Sequence, residues 1–102
     1  MFLDDIEVKI FKALGHPVRL KIVKKLMKGT LCVCELNEDV DFSQSNLSQH
    51  LRVLRDADIL SYERDGARIN YSIKNKEITD IINIIEKMII KDFKKIVNGQ
   101  GD

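Results

Sequence analysis

Both cysteines of this chain fall in one short stretch, "LCVCEL", residues 31–36, as Cys32 and Cys34. Thiolates are soft ligands and also the reactive form in disulfide exchange, so a close pair can hold a soft ion or act as a redox couple. A plainer alternative is that both simply pack as small apolar residues. In a regular helix, residues i and i+2 point to nearly opposite sides. A helix beginning at about Cys32 would have to distort before both sulfurs met one ion, and ion capture would then disturb whatever packs on that helix. The ligand count is short, because zinc-like ions take four ligands. Further donors would have to be a small thiol, water, Glu35 or a group from another subunit. A redox or reactive-sulfur switch needs only the two thiols.

A second group of residues points to different chemistry. In "DFSQSNLSQHLRVLRDADIL", Leu47, Leu51 and Leu54 recur at helical spacing. With those three turned inward, Ser45, Gln49, Arg52 and Asp56 lie on the opposite side, flanked by Asn46 and Ser48. Asn and Gln can pair bidentately with adenine edges, Ser with several bases, and Arg with guanine or phosphate. Residues 43–55 contain neither Glu nor Lys, unlike an ordinary solvated helix face. Ser43 is placed as N-cap of a helix over about 43–57, with Phe42 and Leu47 as a hydrophobic staple. His50 lies nearer the apolar side, where it can either pack or reach a phosphate. Arg64 and Arg68 flank a hairpin turn, from which an arginine can meet a backbone phosphate or enter a minor groove.

The remaining elements must position these two groups. Leu3, Ile6, Ile10, Ala13 and Leu14 predict a first helix over 3–14, opened by Asp4 and Asp5, whose charge suits a helix N-terminus. Pro17 suits the first position of a second helix that Gly29 ends, and His16 before it is read as a cap. A short third helix is expected over about 32–39. Residues 59–73 read as a hairpin with Asp65-Gly66 as its turn. Residues 75–97 predict a long final helix whose isoleucines form an arc too wide for so small a domain to cover, so a second copy is the expected cover. Four helices, a hairpin and a last helix describe a mainly α chain with a small β-hairpin, a winged helix-turn-helix filling residues 1–102 as one domain.

Net charge is only +1, but it is unevenly distributed. Residues 9–28 carry Lys9, Lys12, Arg19, Lys21, Lys24, Lys25 and Lys28 without an acid; residues 35–41 carry Glu35, Glu38, Asp39 and Asp41 without a base. Such segregation permits a local positive field on a nearly neutral molecule. No apolar run is long enough to span a bilayer. The start "MFLDDIEVK" lacks the basic opening of a signal peptide, so a cytoplasmic protein with no membrane partner is expected. No nucleophile–base pairing, phosphate loop or paired carboxylate suggests an enzyme.

From "LGHPVRLKIVKKL" through "LCVCEL" and "SQSNLSQHLRVLRDADIL" to "ERDGARINYSI", residues 14–73, the chain resembles the ArsR/SmtB family of winged-helix repressors. The resemblance implies a homodimer joined through the first and last helices. It implies repression at a two-fold operator, with half-sites spaced by about 34–36 Å or a multiple. It places Ser43, Gln44, Ser45, Asn46, Ser48, Gln49, His50 and Arg52 in or beside the major groove, and Arg64 and Arg68 on the wing. It implies an inducer at Cys32 and Cys34: arsenite, antimonite or a soft divalent metal ion. No resident cofactor is required. Family members often carry a third cysteine where this chain has Asn37. The family's other inducer site uses carboxylate and histidine ligands on the last helix, and residues 75–102 contain no histidine or cysteine. Asp58 stands where the family usually has glycine, and aspartate tolerates the left-handed backbone expected there. A redox or reactive-sulfur repressor using the same dithiol remains an alternative. So does a winged-helix protein-interaction module that does not read DNA.

Overall fold

A computed structural model of the chain describes residues 2–42 and 44–99. The order is α1 (Phe2–Leu14), α2 (Pro17–Leu26), β1 (Leu31–Cys32), α3 (Val33–Glu38), a 3-10 turn (Val40–Phe42), α4 (Leu47–Asp56), β2 (Leu60–Asp65), β3 (Arg68–Ile73) and α5 (Lys76–Val97). The winged-helix arrangement is as expected from the sequence, with one addition. Residues 31–32 form a strand, so the wing is a three-stranded antiparallel sheet in the order β1-β3-β2 rather than a bare hairpin. Leu31 pairs with Tyr71 and Cys32 with Asn70.

The core gathers Ile22, Val23 and Leu26 of α2, Leu36, Phe42, the Leu47/Leu51/Leu54 face of α4, Ile59, Leu60 and Tyr71, closed by Ile78 and Ile82 of α5. Small polar devices fix the helix ends around it. His16 Nδ1 accepts the Val18 N–H at 3.1 Å, capping α2 with Pro17 at the first turn. Arg19 donates from Nε to the Ala13 carbonyl at 2.8 Å and from Nη2 to the Lys12 carbonyl at 3.2 Å, which satisfies free carbonyls at the end of α1. Lys25 reaches Asp39 at 2.6 Å and Asp41 at 3.1 Å, tying α2 to the connection after α3. One base of the sequence's positive run is thus matched by two acids of its negative run.

The expected αL backbone at Asp58 is present, with φ 64°. The Asp58 N–H donates to the Arg55 carbonyl and the Ile59 N–H to the Leu54 carbonyl, each at 3.0 Å. These two reverse bonds close α4, and the fully buried Ile59 and Leu54 supply the accompanying apolar contact.

Two local expectations are corrected. The wing turn is Gly66-Ala67, not Asp65-Gly66, since Asp65 pairs with Arg68. Gly66 at φ 60° holds the first central position, the place where a two-residue II′ loop needs glycine. Helix α4 begins at Leu47 with Asn46 as its N-cap, not at residue 43. Ser43, the residue expected to cap it, lies outside the described residues. Phe42 and Leu47 are both buried in the core, but with Asn46 capping they do not occupy the staple positions.

The wide apolar arc of α5 is left open. Ile78 and Ile82 are buried, whereas Ile85, Met88, Ile89, Phe93 and Ile96 are exposed, as are Phe2, Leu3, Ile6 and Phe11 of α1. α5 is therefore not wrapped by its own domain. Among the described residues, no helix is long and apolar enough to cross a membrane.

Candidate nucleic-acid interface and the cysteine box

Burial of Leu47, Leu51 and Leu54 turns the opposite face of α4 outward, and Asn46, Ser48, Gln49 and Arg52 are all exposed there. Gln44 is exposed in the turn before the helix. Asn46 and Gln49 are linked twice. The Asn46 side-chain oxygen accepts the Gln49 N–H at 3.4 Å, and Asn46 Nδ2 donates to Gln49 Oε1 at 3.0 Å. The pair is therefore held in a fixed relation at the start of the helix. Ser45 is half-buried and donates its hydroxyl to the Phe42 carbonyl at 2.8 Å, so it shapes the turn. Arg52 makes no ion pair among the described residues.

His50 is turned inward. Its ring stacks at a tilt on His16, with centroids 4.6 Å apart, and its Nδ1 lies 3.4 Å from Arg19 Nη1. A guanidinium only donates, so that ring nitrogen is the acceptor. Burial, and then the charges of His16 and Arg19, hold the His50 pKa below its ordinary value. The ring thus joins α4 to the α1–α2 corner.

The wing arginines stand differently. Arg64 is exposed on β2 without an ion pair among the described residues. Arg68 Nη2 meets Glu35 Oε1 at 3.4 Å. Arg55 of α4 lies over the Tyr62 ring at 5.1 Å, and Tyr62 packs on Tyr71 across the ladder, so wing and recognition helix are also in contact.

The cysteine box departs from its expected geometry. Cys32 is the last residue of β1 and the N-cap of α3, with extended backbone at φ −79°, ψ 158°. It is not inside the helix, so the two sulfurs meet without any unwinding. They are joined as a disulfide, with Cα atoms 5.2 Å apart. Cys32 is buried and Cys34 exposed. Cys32 Sγ accepts the Glu35 N–H at 3.1 Å, and Glu35 Oε1 accepts the Cys32 N–H at 3.1 Å. This is a capping box with cysteine in the usual serine position. Glu35 was expected at most as a spare ion ligand. The signal for its actual role was in the sequence, as a glutamate three residues after a potential cap. Asn37 is exposed, and among the described residues no cluster of three metal-ligating side chains forms.

Comparison with known proteins agrees with the winged-helix fold. Residues 16–62 match the family model "Bacterial regulatory protein, arsR family". The arsenical resistance operon repressor of Bacillus subtilis is 36% identical, over 90% of this chain and 84% of that protein. The chain belongs to the ArsR family. It is accordingly a DNA-binding transcriptional regulator of the repressor type, and its relatives in the ArsR family are not enzymes. The transcriptional regulator Rv0081 of Mycobacterium tuberculosis is 36% identical, over 87% of this chain and 79% of its own. Its crystal structure superposes with a TM-score of 0.82, covering 93% of this chain and 96% of the other. HlyU of Vibrio cholerae, 28% identical, gives a TM-score of 0.73 over 83% of this chain and 92% of its own, and its reduced form gives 0.72.

Proposed function

We propose that the protein is a homodimeric operator-binding repressor whose hold on DNA is set by the Cys32–Cys34 pair acting as a thiol–disulfide switch. The observation that carries this reading is the position of Cys32. It caps α3 and also pairs with Asn70 on the inner wing strand, so chemistry at its sulfur bears on a DNA-facing element. Two sulfurs that already meet, with no third ligand beside them, suit a redox couple better than a closed ion site. In the switch, two thiols give up two electrons and two protons; a hydroperoxide of the form ROOH accepts them, leaving ROH and water. The disulfide is the releasing form. That one neighbour, HlyU, has been solved in a reduced form as well is consistent with thiol chemistry in this architecture.

The exposed Gln44, Asn46, Ser48, Gln49 and Arg52 are the groups that read base edges in the major groove. Ser45 shapes the approach to this helix, His50 supports it from behind, and Arg64 and Arg68 meet backbone phosphates from the wing. The open arcs of α1 and α5 form the dimer seam, which places two recognition helices for a two-fold operator.

A second reading keeps the same site and replaces the oxidant with arsenite, antimonite or a soft divalent ion. The 36% identity to an arsenical resistance repressor favours it. With Asn37 in the third position, it requires a further ligand from a small thiol, water or the other subunit.

Operator release separates these readings. Reduced protein bound to its own upstream region is treated in turn with peroxide, polysulfide, arsenite, antimonite, cadmium and zinc, beside Cys32→Ser and Cys34→Ser variants. Release by peroxide or polysulfide that both variants lose supports the switch. Release by arsenite, antimonite or cadmium alone moves the assignment to the second reading. Variants that respond like the parent sink both. Binding no tighter than to unrelated DNA leaves the interaction-module alternative.

A further inference from the structure

Glu35 uses a single carboxylate oxygen twice. Oε1 accepts the Cys32 N–H at 3.1 Å and meets the Arg68 guanidinium at 3.4 Å. We propose that Glu35 is an electrostatic brake on the wing, holding Arg68 against α3 and away from DNA phosphate in the disulfide form. The inference deepens the repressor reading above and rests on it.

The two bonds are not equivalent. The capping bond is local and fixes the carboxylate at the third position of α3. Arg68 sits at the first position of β3, directly after the wing turn, on a long side chain that is 58% exposed. The arginine is therefore the partner free to move. Exposed ion pairs of this kind hold weakly, so a phosphate can displace the carboxylate. Until that happens one positive charge of the wing is cancelled. Arg64, on the neighbouring strand, carries no such restraint among the described residues. The wing thus presents one free cation and one held cation.

The cap and the brake can be separated chemically. Glutamine fills the same capping position as glutamate, so Glu35→Gln keeps an oxygen for the Cys32 N–H while removing the charge that holds Arg68. Glu35 is a positioning residue that acts through Arg68, without touching DNA itself.

The experiment measures DNA affinity of the full-length disulfide form by fluorescence anisotropy over a series of salt concentrations. It compares the parent, Glu35→Gln, Arg68→Ala and the double variant. Each released phosphate contact adds about 0.9 to the slope of log K against log salt, or about eightfold in affinity at 0.1 M salt relative to 1 M. The expected result is that Glu35→Gln binds tighter by up to about fivefold per engaged wing, the limit an exposed ion pair sets below the full contact, with a steeper slope, and that both changes vanish in the Arg68→Ala background. A variant that only damaged the fold would bind more weakly, not more tightly. Unchanged or weaker binding by Glu35→Gln overturns the proposal. So does tightening that persists without Arg68, since the carboxylate would then be repelling phosphate directly. Phosphate contacts carry no base sequence, so the same comparison holds on an unrelated duplex. A parent with no operator preference would refute the repressor reading, and the unrelated duplex would still decide the brake.

Discussion

Ile89→Ala tests the open arc of α5. Ile89 is 56% exposed and lies with Phe11, Leu14, Leu20, Ile81 and Ile85 along an apolar groove between α1, α2 and α5. Fully burying an isoleucine side chain is worth about 1.5–3 kcal/mol, so covering the remaining half contributes roughly 0.8–1.5 kcal/mol per copy. A two-fold dimer contains the residue twice, giving about 1.5–3 kcal/mol, or roughly a tenfold to hundredfold rise in the dimer Kd on truncation. Alanine keeps one methyl, which favours the lower half of that range. Sedimentation equilibrium of parent and variant reads the constant directly, and operator affinity measured below the variant's Kd should fall in step. The monomer fold should suffer less, because the side chain is only half-covered there. A variant with the parent's dimer constant, or a parent that sediments as a monomer throughout, would refute this account of the α5 arc.

Three other outcomes follow from described contacts. Burial, His16 and Arg19 depress the His50 pKa, so the ring is neutral and its stability contribution complete above about pH 6.5. As pH falls, the unfolded chain takes up the proton first, and stability drops down through the lower folded value. The parent should melt lower at pH 5.5 than at 7.5, and His50→Gln should narrow that gap; an identical gap would show that His50 is not responsible. Asp58→Ala forces a Cβ-bearing residue without aspartate's local hydrogen bonding into φ 64° and removes the 2.7 Å ion pair to Lys74, so thermal unfolding should show a loss of about 1 kcal/mol. Asp58→Gly relieves the backbone and should be nearly neutral. Arg52→Ala, altering an exposed side chain, should leave the melting temperature unchanged while weakening operator binding by about 1–3 kcal/mol in a titration, if Arg52 contacts a base.

The parts of the fold that were legible in the sequence are those written in local spacing. The recurrence of Leu47, Leu51 and Leu54 by itself marks the buried face of α4, and hence its exposed face. Pro17 with His16, and the conformational tolerance of Asp58, likewise depend on a few neighbouring residues. The misplacements arose where neighbours compete or where the partner is distant. Ser43 and Asn46 are both good caps, and the 3-10 turn ending at Phe42 precedes the helix that Asn46 caps. Asp65-Gly66 and Gly66-Ala67 can each make a tight turn, and the choice follows from pairing Asp65 with Arg68. Residues 31–32 become a strand only because Asn70 and Tyr71 lie alongside, nearly 40 residues further along the chain. Two residues carry no readable alternation, so β1 was missed, and with it the extended backbone that brings the two sulfurs together. The Glu35–Arg68 contact was hidden for the same reason.

The uneven burial of the cysteines gives their chemistry an order. Cys34 faces solvent, while Cys32 is 1% exposed at the end of a strand. In the proposed switch, a reagent from solution meets the reduced Cys34 first, and Cys32 acts second as the resolving sulfur. The Cys34 thiolate attacking a small disulfide releases one small thiol and keeps the other as a mixed disulfide, which Cys32 then expels as it closes the ring. A Cys34 sulfenic acid, formed as a hydroperoxide ROOH leaves ROH, loses water to Cys32 in the same way. Entry therefore occurs at the residue with least structural duty. Closure occurs at the one built into both a strand and a helix cap.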